Sequence, residues 1–580
     1  MTLKHGAANG GALAHDPKLT AGHRLRTALL VVPAALLSAL LPGPRPALAQ
    51  HSGHSGPTPS AHELHPGLGN YHFPITTQNP QAQVYFDQGI ALLYGFNHDE
   101  AARYFRRATE LDPQAAMPYW GLALSIGPNY NDTAVDAARA QATYDAVQSA
   151  RARAPGASPR ERAYIEAIAR RYASPDPNSD WLGFHRDYSN AMREMVRNFP
   201  DDLDAATMFA ESLMMLRPWQ LWTLDGEPAP GTLELVAVLE SVLKRNPDHA
   251  GANHFYIHSV EASRNLERAI PSATRLMTLM PGAGHLVHMP GHIFLQTGDF
   301  ELTAATNVKA AEADRVFVAR TGATGMYPQM YYTHNVHFIA YARAQQGRYE
   351  DAKQAAEQMV AMTGDADLEP RMQMLEGFHL YPLMVDLRFG RWDALAAAPE
   401  PAQRRPMSHA FWRYARAMAF AGQGRIRDAD REQRDFERER AAVAADTQYL
   451  INNKAADVLA LAGATLAARI AAARGDTVRT VDELRRAVQL EAAIQYDEPP
   501  AWFYPVRQSL GGALLRGGQP REAEAVFRES LARYPRDGRL LFGLWQSLLA
   551  QDRPDEAVLV QAQHAAAWKD ATVELAIEDL

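Results

Sequence analysis

Apolar and small residues along this chain recur every 34 residues, and no stretch shows the two-residue alternation of a half-buried strand. With Ala82 as position 1, Tyr85, Gly89, Leu92, Ala101, Phe105, Ala108 and Pro113 fall at positions 4, 8, 11, 20, 24, 27 and 32. With Tyr504 as position 1, Leu510, Gly511, Leu514, Ala523, Phe527 and Pro535 fall at 7, 8, 11, 20, 24 and 32. A unit starting at Gly538 puts Leu541, Leu544, Leu548 and Ala557 at 4, 7, 11 and 20. Steps of three and four residues inside each unit mark one face of a helix. Each unit therefore predicts two helices, the second ended by proline. Small residues at positions 8 and 20 let the pair approach closely. Gly298, Gly347, Gly390, Gly424 and Gly475 fall near position 15 and mark the turns between helices. A single unit cannot bury its own apolar face, so neighbours must stack.

This pattern resembles the tetratricopeptide repeat family, of an exported bacterial type, over most of the chain. The resemblance implies an all-α superhelical solenoid of antiparallel helix pairs, with about ten to twelve repeats. Its concave groove is where such arrays usually bind peptides or partner proteins. The array is expected over residues 81–565, with insertions near 131–200 and 217–230 and a C-terminal tail or capping helix at 566–580.

Composition narrows the function. The 580 residues are 47% hydrophobic and 21% charged, enough apolar material for a large core. There is no cysteine, which excludes disulfides, thiolate metal sites, iron–sulfur clusters and cysteine nucleophiles. A net charge of -8 argues against a nucleic-acid partner. No Gly-rich phosphate loop follows a strand, and no serine nucleophile elbow is present. Arg24 and Arg26 precede an apolar run, Thr27 to Leu41, which Pro42-Gly43-Pro44 breaks before Ala47-Leu48-Ala49. This is the order of a secretory signal peptide over residues 1–49, predicting a periplasmic or secreted protein. No other run is expected to span a membrane. Residues 50–80, rich in His, Gly, Ser and Pro at their start, read as a disordered linker.

The chemistry-bearing residues gather in the middle. Seven of the 21 histidines lie between His254 and His337. When Ala250, Gly284 and Thr333 are set at position 1, position 5 is His254, His288 and His337. Position 2 is Gly251, His285 and His334, and position 9 is His258, His292 and Tyr341. In the family these positions line the concave groove. Residues three, four and seven apart share a helix face, so each group can offer two or three imidazoles to one ion. Imidazole suits zinc, copper, iron and nickel, and copper, zinc or iron is the cofactor expected here. Glu211 and Glu261 lie near the row as further ligands or general bases, and Tyr341 as a phenol on the same face. Met289 and Met330 flank the row but read as core. Pro290 predicts a helix that starts late, leaving His285 on a loop, and His334 is expected just before its helix.

Two loops bear on the groove. Leu216–Trp222 carries two tryptophans and reads either as a cover over the groove or as an ordinary packed insertion. Tyr496–Tyr504, aromatic and acidic, is placed by the superhelix on the groove's far side. Two functions compete. One is a metal carrier or metal-dependent enzyme, with a possible small-molecule substrate. The other is an adaptor that binds a peptide or protein partner without metal. A purely structural histidine network is the plainest alternative to both.

Overall fold

The structure is a computed structural model that describes residues 63–401 and 405–580. The leader expected at 1–49 and the first part of the linker, 50–62, lie outside the described residues. Helix follows helix with almost no strand. The two-residue strands Gln448–Tyr449 and Asn453–Lys454 form a small hairpin between helices. Consecutive helices pack as pairs, beginning with Pro80–Tyr94 against His98–Leu111 and ending with Gly538–Leu549 against Pro554–Ala567.

The repeat signature has a direct physical cause. A side-chain carbon on Gly89 would lie 2.6 Å from the Phe105 ring, and one on Gly121 would lie 2.5 Å from it. Phe105, wholly buried, is thus clamped between its own hairpin and the next. The same clamp closes the far end, where Gly511 and Gly543 press on Phe527 at 2.4 and 2.2 Å. The five turn glycines all take left-handed backbone angles, from +61° to +76°. Gly511→Ala should gain helix propensity of about 1 kcal/mol but lose about 1–3 kcal/mol to overpacking, a net loss. Gly463→Ala, whose new carbon meets nothing closer than 3.4 Å, should instead stabilise by about 0.5–1 kcal/mol. Urea denaturation of the two variants checks the opposite signs.

Several expectations are corrected. Residues 131–200, expected as an insertion, are largely helical, with Ala137–Arg153, Pro159–Arg171 and Trp181–Asn198. Residues 217–230 do form a loop, pinned by a bridge between Trp222 and Pro228. Residues 63–79, expected in the linker, are packed. Leu68 and Phe73 are buried, His65 stacks on Phe317, and Gly282 donates its N–H to the Gly67 carbonyl at 2.8 Å. One helix, Ala455–Ala473, is long and apolar enough to cross a membrane, contrary to the sequence reading. Most of its apolar window is buried against the helices Pro406–Gly422 and Thr477–Ala493, which explains its composition. The chain after Ala567 turns back as a tail that ends in a short 3-10 turn, Ile577–Asp579.

Candidate metal centre

Three successive hairpins bring the histidines together. His254 and His258 lie one turn apart on the helix Ala250–Val260. His285 and His288 lie on Gly284–His288, and His292 on Pro290–Gln296. Pro290 does start a new helix, as expected, yet His285 is helical and not on a loop. His334, His337 and Tyr341 lie on Thr333–Gln345, so His334 is inside its helix and not before it. A π-type turn, Tyr327–Tyr332, leads into that helix without a break.

The rings form two triads with donor atoms within 4.8 Å of one another: His254, His258 and His285, and His288, His292 and His334. A third group, His258, Glu261 and His292, joins them. The triads adjoin: the His285 and His288 ring centroids are 5.5 Å apart, as are those of His258 and His292. The histidines are enclosed. His254 and His288 are fully buried and His292 is 2% exposed.

Hydrogen bonds fix which nitrogen of each ring faces the middle. His254 Nδ1 donates to the Tyr94 carbonyl at 2.6 Å. His288 Nδ1 donates to Asn307 Oδ1 at 2.7 Å, an orientation set by Asn307 donating its amide to the Thr303 carbonyl. His258 Nδ1 meets Glu261 Oε1 at 2.9 Å, and His292 Nδ1 meets Glu261 Oε2 at 2.7 Å. With Nδ1 committed in four rings, their Nε2 atoms turn inward. His288 Nε2 faces His292 Nε2 at 2.8 Å, and His254 Nε2 faces His285 Nε2 at 3.2 Å. His258 Nε2 and His285 Nδ1 are buried with no hydrogen-bond partner among the described residues. Imidazoles tied at one nitrogen to a carbonyl, amide or carboxylate and bare at the other are what a histidine-bound metal requires.

Electrostatics keeps most of the rings neutral. Burial, reinforced by neighbouring imidazoles, holds His254, His285, His288 and His334 well below the usual histidine value. His292 differs. Burial would lower it, but the carboxylates of Glu498 and Glu261 raise it to about 10. Burial would raise Glu261, yet His258 and His292 hold it down. Burial pushes Glu498 up.

Not every candidate joins the cluster. Glu211 is held by Arg171 through two hydrogen bonds of 2.8 and 2.9 Å, on the side of its helix that faces Pro159–Arg171. It is therefore not a base for this centre. Tyr341 packs with Leu295 and Phe338, and Phe338 in turn meets the rings of His288, His292 and His334. His337 turns toward the next hairpin, where it meets Phe378 and Tyr381, and both its nitrogens are buried without partners. Glu261 does lie in the cluster. Met289 and Met330 are core residues.

Three contributors were not singled out from sequence. Glu498, from the loop Tyr496–Tyr504, reaches His292 Nδ1 and accepts from Gln296 at 2.6 Å. Gln296 also donates to the Tyr496 hydroxyl at 2.8 Å, so this loop does cover the cluster from the far side. Phe96, with a left-handed φ of 54°, stacks on His258 and His285. Asn307 orients His288. The tryptophan loop is also a cover: Trp219 meets the His258 ring edge-on at 5.6 Å, and the Trp222 indole donates to the Ser259 carbonyl at 2.8 Å.

Comparison with known proteins bears on the scaffold. Residues 82–115 match the family model described as tetratricopeptide repeat. No curated protein matches the chain. Among solved structures, yeast Tom70 is 12% identical, covering 86% of this chain and 93% of its own, with a TM-score of 0.29. A human IFIT1 dimer with m7Gppp-AAAA is 12% identical over 86% of this chain and 92% of its own, with a TM-score of 0.31. At such scores the chains do not superpose as wholes, and nothing those proteins bind transfers here. By its helix pairs, its glycine–phenylalanine clamps and the matched unit at 82–115, this chain is built as a tetratricopeptide-repeat solenoid.

Proposed function

We propose that this solenoid holds two transition-metal ions, copper, zinc or iron, in adjacent three-histidine sites. His254, His258 and His285 would hold one, and His288, His292 and His334 the other. The observation that carries this reading is the inward turn of the Nε2 atoms, with Nδ1 of four rings already engaged. Lone pairs facing each other at 2.8 Å repel unless a proton or a cation lies between them. Three nitrogen ligands leave a fourth position open, which is how a bound metal supplies Lewis-acid or redox chemistry. Glu261 and Glu498 would orient His292 and carry compensating charge. The leader expected at residues 1–49 would place the centre outside the cytoplasm. Imidazoles on four helices, in place of the lysine and arginine lining that clamps peptide carboxylates, favour metal over an adaptor groove.

The test is elemental analysis of tag-free protein purified without chelator. About two first-row metal ions per chain are expected, falling to about one in His254→Ala and in His288→Ala and to none in the double variant. Metal-free protein with no affinity for copper, zinc or iron at neutral pH would return the chain to the adaptor reading.

A further inference from the structure

A cavity of about 640 Å³ lies away from the histidines. It opens between the helices Tyr381–Arg388, Pro406–Gly422, Ala455–Ala473 and Val506–Arg516, with the tail's last residues at one side. That volume is in the range of small-molecule sites, about 300–1,000 Å³.

Its walls combine aromatic faces with the guanidinium groups of Arg388, Arg469 and Arg516, which carboxylates oppose only from a distance. The Arg388 side chain is 2% exposed, and its two terminal nitrogens are met by the neutral oxygens of Gln508 at 2.5 Å and Gln345 at 2.6 Å. Its Nε has no partner, and the Asp537 carboxylate stands 3.9 Å away. Arg469 lies over the Trp392 ring at 4.7 Å and has no hydrogen bond or ion pair among the described residues. Arg516 is exposed at the cavity's edge, spends one nitrogen on the Ile577 carbonyl at 2.6 Å and has no ion pair among the described residues. Glu578 and Asp579 also border the cavity, but both are exposed and neither comes within ion-pair distance of these arginines. Burial accordingly lowers Arg388, Arg469 and Arg516 from the ordinary arginine value, and Arg469 and Arg516 oppose each other.

A buried guanidinium such as that of Arg388, whose carboxylate partner stands only at 3.9 Å, is costly. A planar guanidinium also matches the two oxygens of a carboxylate or phosphate. Trp392, Tyr414 and Tyr504 supply flat apolar walls beside these charges. We propose that this cavity binds an organic acid, its oxyanion against Arg469 and Arg516 with Arg388 behind them, and its flat apolar body against Trp392 and Tyr414. This site is independent of the metal reading, since it uses none of the histidines.

The test is calorimetric titration of the full chain with sodium 2-naphthoate, with the neutral 2-naphthamide and with inorganic phosphate. Naphthoate is expected to bind saturably, one molecule per chain. The amide should bind about tenfold more weakly or worse. Arg469→Gln and Arg516→Gln should each weaken naphthoate by about tenfold. Phosphate that displaces naphthoate would mark a phosphate ester as the natural class, and phosphate that does not would mark a carboxylate. Equal binding of acid and amide, unchanged affinity in both folded variants, or no saturable binding of either anion overturns the proposal. Should a variant fail to fold, the acid–amide pair on the unaltered chain decides alone.

Discussion

Glu261→Ala is expected to destabilise the protein by about 3–5 kcal/mol, the cost of leaving a buried ionic partner unpaired. Glu261 is 1% exposed and takes His258 on one oxygen and His292 on the other. Without it, two buried imidazole N–H groups lose their acceptor, and only Glu498 remains beside His292. Glu261→Gln separates charge from shape. Its amide oxygen can accept from one ring, but its NH2 must donate to the other. That donation forces the second histidine to carry its proton on Nε2, the atom that faces the centre. Glu261→Gln should therefore cost less stability than the alanine variant while still weakening metal retention. Urea denaturation reads the first quantity and competition with a chromogenic chelator the second. Unchanged stability in the alanine variant would show that Glu261 does not hold these rings.

How far the sequence carries the reader depends on whether the signal is local. Gly89, Phe105, Gly511 and Phe527 announce the fold because the clamp they form repeats at a fixed spacing. Six of the seven histidines at positions 2, 5 and 9 are legible for the same reason, since helix phase follows from register. Register alone misplaces the others. Tyr341 shares nominal position 9 with His258 and His292, but lies two turns beyond His334 along its helix. His337 lies on the other flank and meets Phe378 instead. Glu211 is near the row in the chain, yet Arg171 is the partner its helix face offers. Glu498 lies 206 residues beyond His292 in sequence, and only superhelical return brings it to His292. Phe96 depends on a left-handed turn residue that no apolar pattern encodes.

Removing metal should be the other large perturbation, and it discriminates between ligands and packing. An ion bound at 100 times its dissociation constant adds about 2.7 kcal/mol to stability, and at 1,000 times about 4.1 kcal/mol. A strong chelator should therefore shift the urea midpoint downward by an amount that scales with the number of ions released. His288→Ala tests the origin of that shift. In metal-loaded protein the variant should lose one ion's contribution together with its bond to Asn307. In chelator the unaltered protein keeps His288 Nε2 facing His292 Nε2 at 2.8 Å with no metal between them, and alanine removes that contact. The gap between the two proteins should then narrow to the loss of one buried ring. A structural histidine network predicts the reverse: a gap of the same size with and without chelator, because no ion contributes to either.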